Sequence, residues 1–536
     1  MEYSLLDTAL FAVRGASGAG MACSMPQILA CLTEGQDLRF DHLRPHQRAP
    51  WHAFLVQLAY LALEDEEQET LSATADDWAK RLRELTASHG DTPWHLLNPD
   101  WSQPAFLQVP CLPGQESDYK LGSDAAQDVD VLVTSKHHDE KAFKLPLDDE
   151  RLDALVYALV TLQGWSSFLG VGNYNTMRMN GGFSSRPQFR LAFERGTGAE
   201  FRRDLMALLA HRDALAEERF STALGIGSDP DALRLLWLDP WQDAGLPLPR
   251  VHPYCLEVCR RVRLVRTGSG LRVLRAGSKS MRVAARDARG VVGDPWVPIL
   301  KEKDGPKALT AQAHTLQFRG LQALLFDPAR TQLPLLAKPT EAERRESADA
   351  PATMIAQVLV SGDGRTDGLL QRELPIPPVS RRRWAEADEE LGDRSRTFVE
   401  LAAQAAGKAL RPGLIQFLDG AEAPNWKNPD FARMAEPWIA RYEAQLDEVF
   451  FAELFDTFER ALDTQAAQRQ WVHVLARAAR ATLARAADSL PTRIDSAWVA
   501  RVRAERMLNG ALRFRFGALL DGADAPVADG EAHAPA

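Results

Sequence analysis

Cysteine is scarce in this chain. There are five in 536 residues (Cys23, Cys31, Cys111, Cys255 and Cys259), scattered and odd in number. That pattern argues against a disulfide framework and fits free thiols in a reducing compartment. No apolar run approaches the roughly 20 residues needed to cross a bilayer. The opening MEYSLLDTALFAVR has neither the basic start nor the long apolar stretch of a secretory signal. A cytoplasmic protein with no membrane partner is therefore expected. A basic surplus is missing too, since the formal net charge is -10. Proteins that grip phosphate unaided are usually basic, so a nucleic-acid role here requires segregated charge. The acids do cluster, around Glu64 to Glu69, Glu341 to Asp349, Glu386 to Asp393 and in the last fifteen or so residues, while arginine gathers elsewhere.

Signatures of chemistry are also lacking. There is no G-x-x-x-x-G-K-[ST] loop, and Gly170-Val171-Gly172-Asn173-Tyr174-Asn175 lacks the third glycine of a dinucleotide fingerprint. The segment around Ser17 has Ala19 where a nucleophile elbow needs glycine. His42 and His46 are four apart with Pro45 between them and no accompanying glutamate, which makes surface histidines the simpler reading than zinc ligands. Cys255 and Cys259 are followed by no second pair at finger spacing and read as buried packing thiols. No catalytic residue, metal or cofactor is expected.

What is present divides in two. The length exceeds what one hydrophobic core usually holds, which predicts a large domain and a smaller one. The first part mixes patterns. A strand pair is predicted around Gly15-Ala16-Ser17-Gly18, and helical spacing marks Trp51 to Leu63, Asp76 to Thr86 and Arg151 to Phe168. Strand patterns return at Gln188 to Phe193 and across Val262 to Ile299. A hairpin is signalled by MIAQVLV (Met354 to Val360), SGDGRTDG and LLQREL. Two irregular stretches, Gly114 to Lys144 and Gly170 to Pro187, stand out as functional or disordered.

Beyond Pro375 to Pro378 the pattern is helical, over Arg383 to Leu410, Phe431 to Leu462, Gln465 to Leu490 and Ile494 to Leu520. Trp438, Tyr442, Leu446, Phe450, Leu454, Phe458 and Leu462 recur every four residues, a stripe that a four-helix bundle would bury. The reading is an α+β fold: a mixed domain at 1–378, a helical bundle at 379–520 and a disordered tail at 521–536. The stretch from Gln465 to Leu520 carries ten arginines, from Arg469 to Arg515, against Asp488, Asp495 and Glu505. That face is either merely solvated or contacts phosphate.

Four local segments in their order resemble the CasA family, the large subunit of the type I-E CRISPR Cascade complex. They are YSLLDTALFAVR (Tyr3 to Arg14), PAFLQVP (Pro104 to Pro110), CRRVRLV (Cys259 to Val265) and DPWVPILKEK (Asp294 to Lys303). The resemblance implies a non-catalytic subunit that reads a short PAM duplex from the minor groove and promotes opening of the DNA. Its implied partners are double-stranded target DNA, other Cascade subunits, CRISPR RNA within the complex and an effector helicase-nuclease. By family order the glycine loop falls at Asn180-Gly181-Gly182-Phe183, with Arg178 and Arg186 expected to meet phosphate. The groove-reading lysine is Lys301 or Lys303. The wedge hairpin is Gly364-Arg365-Thr366-Asp367, without the glutamine that family members can carry at its tip. Lys136 and His137 fall in a loop expected to contact DNA or the complex, and Arg501 and Arg513 are expected to contact the DNA backbone or the complex. Plainer readings stand beside these: a tight turn at Gly181-Gly182, a solvated strand end at the lysines, an ordinary hairpin at Gly364 to Asp367. A scaffold without base readout, or an enzyme with a site assembled from dispersed loop residues such as His137 and His138, are the alternatives.

Overall fold

The computed structural model describes residues 3–66, 71, 73–121, 129, 151–182, 184–221, 224–267, 270–346, 349–362, 365–489 and 497–521. They form two compact units, one of 1–316 with 323–376, the other of 317–322 with the chain from Pro377 on. The first unit mixes helix and sheet, and every regular element described in the second is helical, as expected for the α+β class. Lys136, His137 and Phe183 lie outside the described residues, as does the tail after Asp521.

In the first unit, β1 (Phe11–Arg14) and β2 (Gly20–Cys23) form the expected hairpin, and β3 (Arg39–Phe40) adds to β1. Phe11 and Val13 point inward and are fully buried. The helices Arg48–Leu63 and Leu152–Trp165 are buried on nearly every side, which is why their sequences are apolar all round rather than striped. Trp51 meets Tyr157 edge-on, with ring centroids 4.9 Å apart.

Several short sheets complete the unit. β4 (Lys120–Leu121) pairs with β9 (Gly270–Ala276), which pairs with β8 (Arg261–Thr267). β6 (Leu233–Leu235) lies parallel to β7 (Val251–Leu256). β10 (Ile299–Glu302) sits between β11 (Gly305–Ala308) and β12 (Thr331–Gln332). The strand pattern expected over Val262 to Ile299 holds for β8, β9 and the start of β10 only. Between them, 277–298 is irregular, punctuated by Gly290, Gly293, Pro295 and Pro298, which interrupt a ladder. Buried Val283, Val292 and Trp296 anchor this run instead, and Arg282 donates to the carbonyls of Leu236, Asp239 and Pro240.

The remaining sheet has the order β14–β13–β5, where β5 is Gln188–Ala192, β13 is Ala352–Gly362 and β14 is Arg365–Ile376. β5 covers only Thr353 to Gln357 of β13. The hairpin therefore continues past β5 from Val358 to Gly362, about 16 Å at 3.3 Å per residue. This corrects the expected tip. Arg365, Thr366 and Asp367 belong to β14, with Gly362 opposite Arg365 and Ser361 opposite Thr366. The register shifts between Val360 and Ser361, leaving Asp367 as the extra residue of a bulge. The strand pairing runs outward as far as Gly362 and Arg365.

In the second unit the long helices are Glu389–Ala405, Pro429–Glu459, Thr464–Ser489 and Ala497–Leu520. The first does not stop at Leu410 as expected. A π-helical turn, Ala406–Leu410, carries it into Arg411–Asp419. Pro412 lacks an N–H and its ring needs room in the preceding turn, and the wider π turn relieves both constraints. Gly413 allows a close helix crossing, since a Cβ there would lie 3.3 Å from Leu508 Cβ. The aromatic stripe from Trp438 to Phe458 is buried. Phe398 stacks on Trp471 at 5.2 Å, and Trp471 Nε1 donates to the Phe398 carbonyl at 2.8 Å.

Candidate nucleic-acid interface

The glycine turn is built from below. The chain leaves the helix Leu152–Trp165, passes the Gly170-Val171-Gly172 turn and reaches Met177, Arg178 and Met179, all buried. Gly181 and Gly182 follow with φ of 59° and 55°, a left-handed pair that residues with a Cβ rarely adopt. A Cβ at either would meet nothing within 4 Å, so backbone conformation and outside access, rather than internal packing, call for glycine here. The turn is held at its edges. Phe168 N donates to Gly182 O at 3.2 Å, Ser184 N to Gly181 O at 3.3 Å, and Gly181 N to Met179 O at 2.8 Å. Asn180 and Gly181 are partly exposed and Gly182 is exposed.

Arg178 and Arg186 do not reach the surface, a correction to the expected phosphate contacts. Arg178 is 1% exposed, with Nη1 2.7 Å from Glu257 Oε2 and Nη2 donating to the carbonyls of Pro253 and Cys255. Arg186 Nε donates to Asp294 Oδ2 at 2.7 Å, and its guanidinium lies 3.9 Å from the Trp165 ring centroid. Burial pulls Arg186 below its ordinary pKa and pushes Glu257 above the usual carboxylate range. Two cations and two carboxylates enclosed together present no charge to a ligand. Their role is to fix the strand of backbone beneath the turn, because a buried charge is tolerable only when paired.

The same cluster ties the other sequence-predicted parts to the turn. Asp294 lies in the run leading to β10, and Phe189 N of β5 donates to Trp296 O at 2.9 Å. Gly290 has φ of 79°, and a Cβ there would stand 2.5 Å from Ala308 Cβ and 3.0 Å from Arg178 O. The base of the β10–β11 hairpin is thus pressed against the backbone under the glycine turn. The β5–β13 register does the same for the wedge. β5 runs antiparallel to β13 with Gln188 opposite Gln357, so the chain entering β5, six residues after Gly182, comes from the side toward the hairpin's end. The structure brings the glycine turn, the lysine hairpin and the projecting β13–β14 hairpin onto one scaffold.

Lys301 and Lys303 are exposed on the β10–β11 hairpin. Lys301 Nζ donates to Pro328 O at 2.8 Å, and Lys303 sits in the turn. Sequence reading missed two neighbours. Partial burial, then Arg344, then Lys301 lower the Lys338 pKa, which marks a knot of like charges around Lys301. The roles of Glu257, Asp294 and Gly290 beneath the glycine turn were missed as well. Nothing local marks Glu257, whereas Gly290 follows Arg289 in a recognisable turn.

The second unit offers less free charge than its arginine count implies. Arg501 is bonded to Asp488 at 2.7 Å and Glu505 at 3.2 Å, and those two acids raise its pKa. Arg480, Arg485 and Arg503 donate to Asn509, Gln445 and the Gly420 carbonyl. Arg513 is 79% exposed, with Asp521 at 3.6 Å. Arg477 and Arg506 are exposed and have no hydrogen-bond or ion-pair partner among the described residues.

The family-like segments prove architectural. Gln108 of PAFLQVP donates to the carbonyls of Leu96 and Phe106 and accepts from Leu264 N of CRRVRLV at 2.7 Å. Burial pushes the Cys255 and Cys259 thiols up to about 11, in keeping with packing roles. His42 faces Asp153 at 2.9 Å. Among the described residues no group of three or more histidine, cysteine or carboxylate side chains could hold a metal, and no helix is long and apolar enough to cross a membrane.

No family model and no curated protein matches the chain. Solved structures do. Crystalline CRISPR-associated protein Cse1 from Acidimicrobium ferrooxidans aligns with a TM-score of 0.64 at 17% identity, covering 97% of this chain and 99% of that one. Thermus thermophilus CasA (Cse1) aligns at 0.59 and 14% identity, covering 95% and 100%. A chain of a CRISPR RNA-guided surveillance complex aligns at 0.54 and 13%, covering 94% and 99%. From end to end, this chain has the fold of the Cse1 (CasA) proteins.

Proposed function

We propose that the chain is the CasA-type large subunit of a type I-E Cascade, a cytoplasmic, non-catalytic protein that reads the PAM from the minor groove and promotes duplex opening. The observation that carries this reading is the convergence of three devices on one scaffold. An open left-handed glycine pair lets a duplex approach the backbone, exposed lysines stand on the neighbouring hairpin, and a two-stranded wedge extends about 16 Å past its sheet. The end-to-end Cse1 fold supports it, because a chain of a CRISPR RNA-guided surveillance complex shares that fold. The net charge of -10 fits a protein that meets DNA inside an assembly rather than alone.

In this reading Asn180, Gly181 and Gly182 lie in the groove. Lys301 or Lys303 contacts a base edge or phosphate, and β14 from Arg365 enters where the strands part. CRISPR RNA then pairs with the opened strand, and the helical unit supports the displaced strand and helps recruit the helicase-nuclease. The test is binding of target duplexes with a randomised PAM by the reconstituted complex, with and without this chain, at fixed salt. Sequence preference at a few flanking positions that requires the chain, and that G181A or K301A erases, is the expected result. Preference that persists without the chain overturns the reading and leaves a scaffold.

A further inference from the structure

One face of the β14–β13–β5 sheet carries an unusual set of side chains. Arg190 of β5 is directly opposite Ile355 of β13, Gln188 is opposite Gln357, and Gln371 and Glu373 of β14 continue the two rows. Period-two alternation puts all six on one face. That face floors a cavity of about 400 Å³ roofed by β3 and the start of the helix Arg48–Leu63. The volume lies within the range of small-molecule sites and exceeds what a bare anion needs.

Its charge is unbalanced in a specific way. Arg39, Arg48, Arg190 and Arg195 line it, and so do Asp41, Glu200 and Glu373. Each carboxylate is already engaged: Asp41 by Arg14 at 2.8 Å, Glu200 by Arg190 and by Arg195 at 3.0 Å, Glu373 by Arg195 at 2.8 Å. His52, also in the wall, is turned to buried Asp204 at 2.8 Å. Arg39 and Arg48 are exposed and have no hydrogen bond or ion pair of 4 Å or less among the described residues, although Arg39 acts on Asp41 at longer range. Arg190 is 6% exposed and is spent inside the wall, where it bonds Glu200 and its Nη1 lies 4.0 Å from Asp204 Oδ2.

We propose that this cavity binds a phosphate-bearing ligand of nucleotide size, its phosphate oxygens meeting Arg39 and Arg48 and its body lying along Leu43 and Phe40. Two unpaired guanidinium groups offer more donors than a single carboxylate accepts, and arginine forks match phosphate. Because Ile355, Gln357, Gln371 and Glu373 lie at the root of the projecting hairpin, an occupant would brace that hairpin. The proposal does not depend on the DNA reading, since none of these residues belongs to that interface.

The test is isothermal titration of the full chain with ATP and with pyrophosphate. ATP is expected to bind at one site, with pyrophosphate competing more weakly. R39A and R48A, both at exposed positions, each weaken ATP binding by about tenfold or more without moving the unfolding midpoint of the ligand-free chain. K301A leaves ATP affinity unchanged, which separates this site from the DNA interface. Absence of saturable ATP binding, an affinity unaltered in both arginine variants, or pyrophosphate binding as tightly as ATP overturns the proposal.

Discussion

Replacing Gly181 by alanine separates access from architecture. Gly181 has φ of 59°, and no atom lies within 4 Å of the position a Cβ would take. The folding cost is then the left-handed backbone alone, about 1–2 kcal/mol. In a unit of this size that shift in Tm is no more than about 2–4 °C. The same substitution at Gly290, φ 79°, sets a Cβ 2.5 Å from Ala308 Cβ and 3.0 Å from Arg178 O, so the lysine hairpin or the turn must move. Calorimetry of the isolated chain should show G181A nearly as stable as the parent and G290A far less stable. In the reconstituted complex G181A should lose at least about tenfold in PAM-dependent binding, because the added methyl occupies the space a duplex would use. A G181A protein that melts as low as G290A refutes the open-turn geometry. One that keeps full PAM preference refutes the turn's role in recognition.

Other consequences are equally measurable. R178M leaves Glu257 buried without its cation and should cost about 3–5 kcal/mol in chemical denaturation, with E257Q restoring part of the loss. The double variant K301A/K303A should weaken duplex binding and lower the slope of log affinity against log salt by up to about 2; an unchanged slope would remove these lysines from the interface. Burial alone would raise the pKa of Asp204 and Glu200, but His52, Arg190 and Arg203 on the first and Arg190, His52 and Arg195 on the second hold both below the usual range. Their stabilisation is therefore present above the unfolded-state values and lost as pH falls through the depressed folded values. Tm should hold above about pH 5 and drop below about pH 4, less steeply in D204N. W471A removes the ring stacked on Phe398 and its hydrogen bond, and should destabilise the helical unit by about 3–5 kcal/mol.

Local patterns carried much of the fold. The β1–β2 hairpin, the two apolar helices at 48–63 and 152–165, and the stripe from Trp438 to Phe458 were all legible locally, because each depends on neighbours in sequence. Periodicity failed where long-range contacts override it. Apolar residues in 277–298 look like strand yet go singly into the core, and Pro412 looks like a stop yet is absorbed by a π turn. In the candidate interface, Gly181, Gly182, Lys301 and Lys303 were legible as exposed turn and hairpin residues. Arg178 and Arg186 were misread because sequence proximity to a glycine turn says nothing of which way a side chain points.

By itself the sequence determined the class of the protein: a mixed first part, a helical second part, free thiols, no nucleotide-loop or zinc-finger signature, and acids clustered in a few stretches of the chain. These depend on composition and on spacing within one element. Only the tertiary structure decided which charges are available. It spent Arg178 and Arg186 on Glu257 and Asp294, tied Arg501 to Asp488 and Glu505, and left Arg39, Arg48 and Lys301 facing outward. Apart from i,i+4 pairs such as Arg501–Glu505, whether a guanidinium binds a ligand or a carboxylate of its own chain is set by partners from 13 to more than 100 residues away, as in Arg501–Asp488 and Arg186–Asp294. No local pattern encodes such distances, because they exist only once the chain has closed on itself.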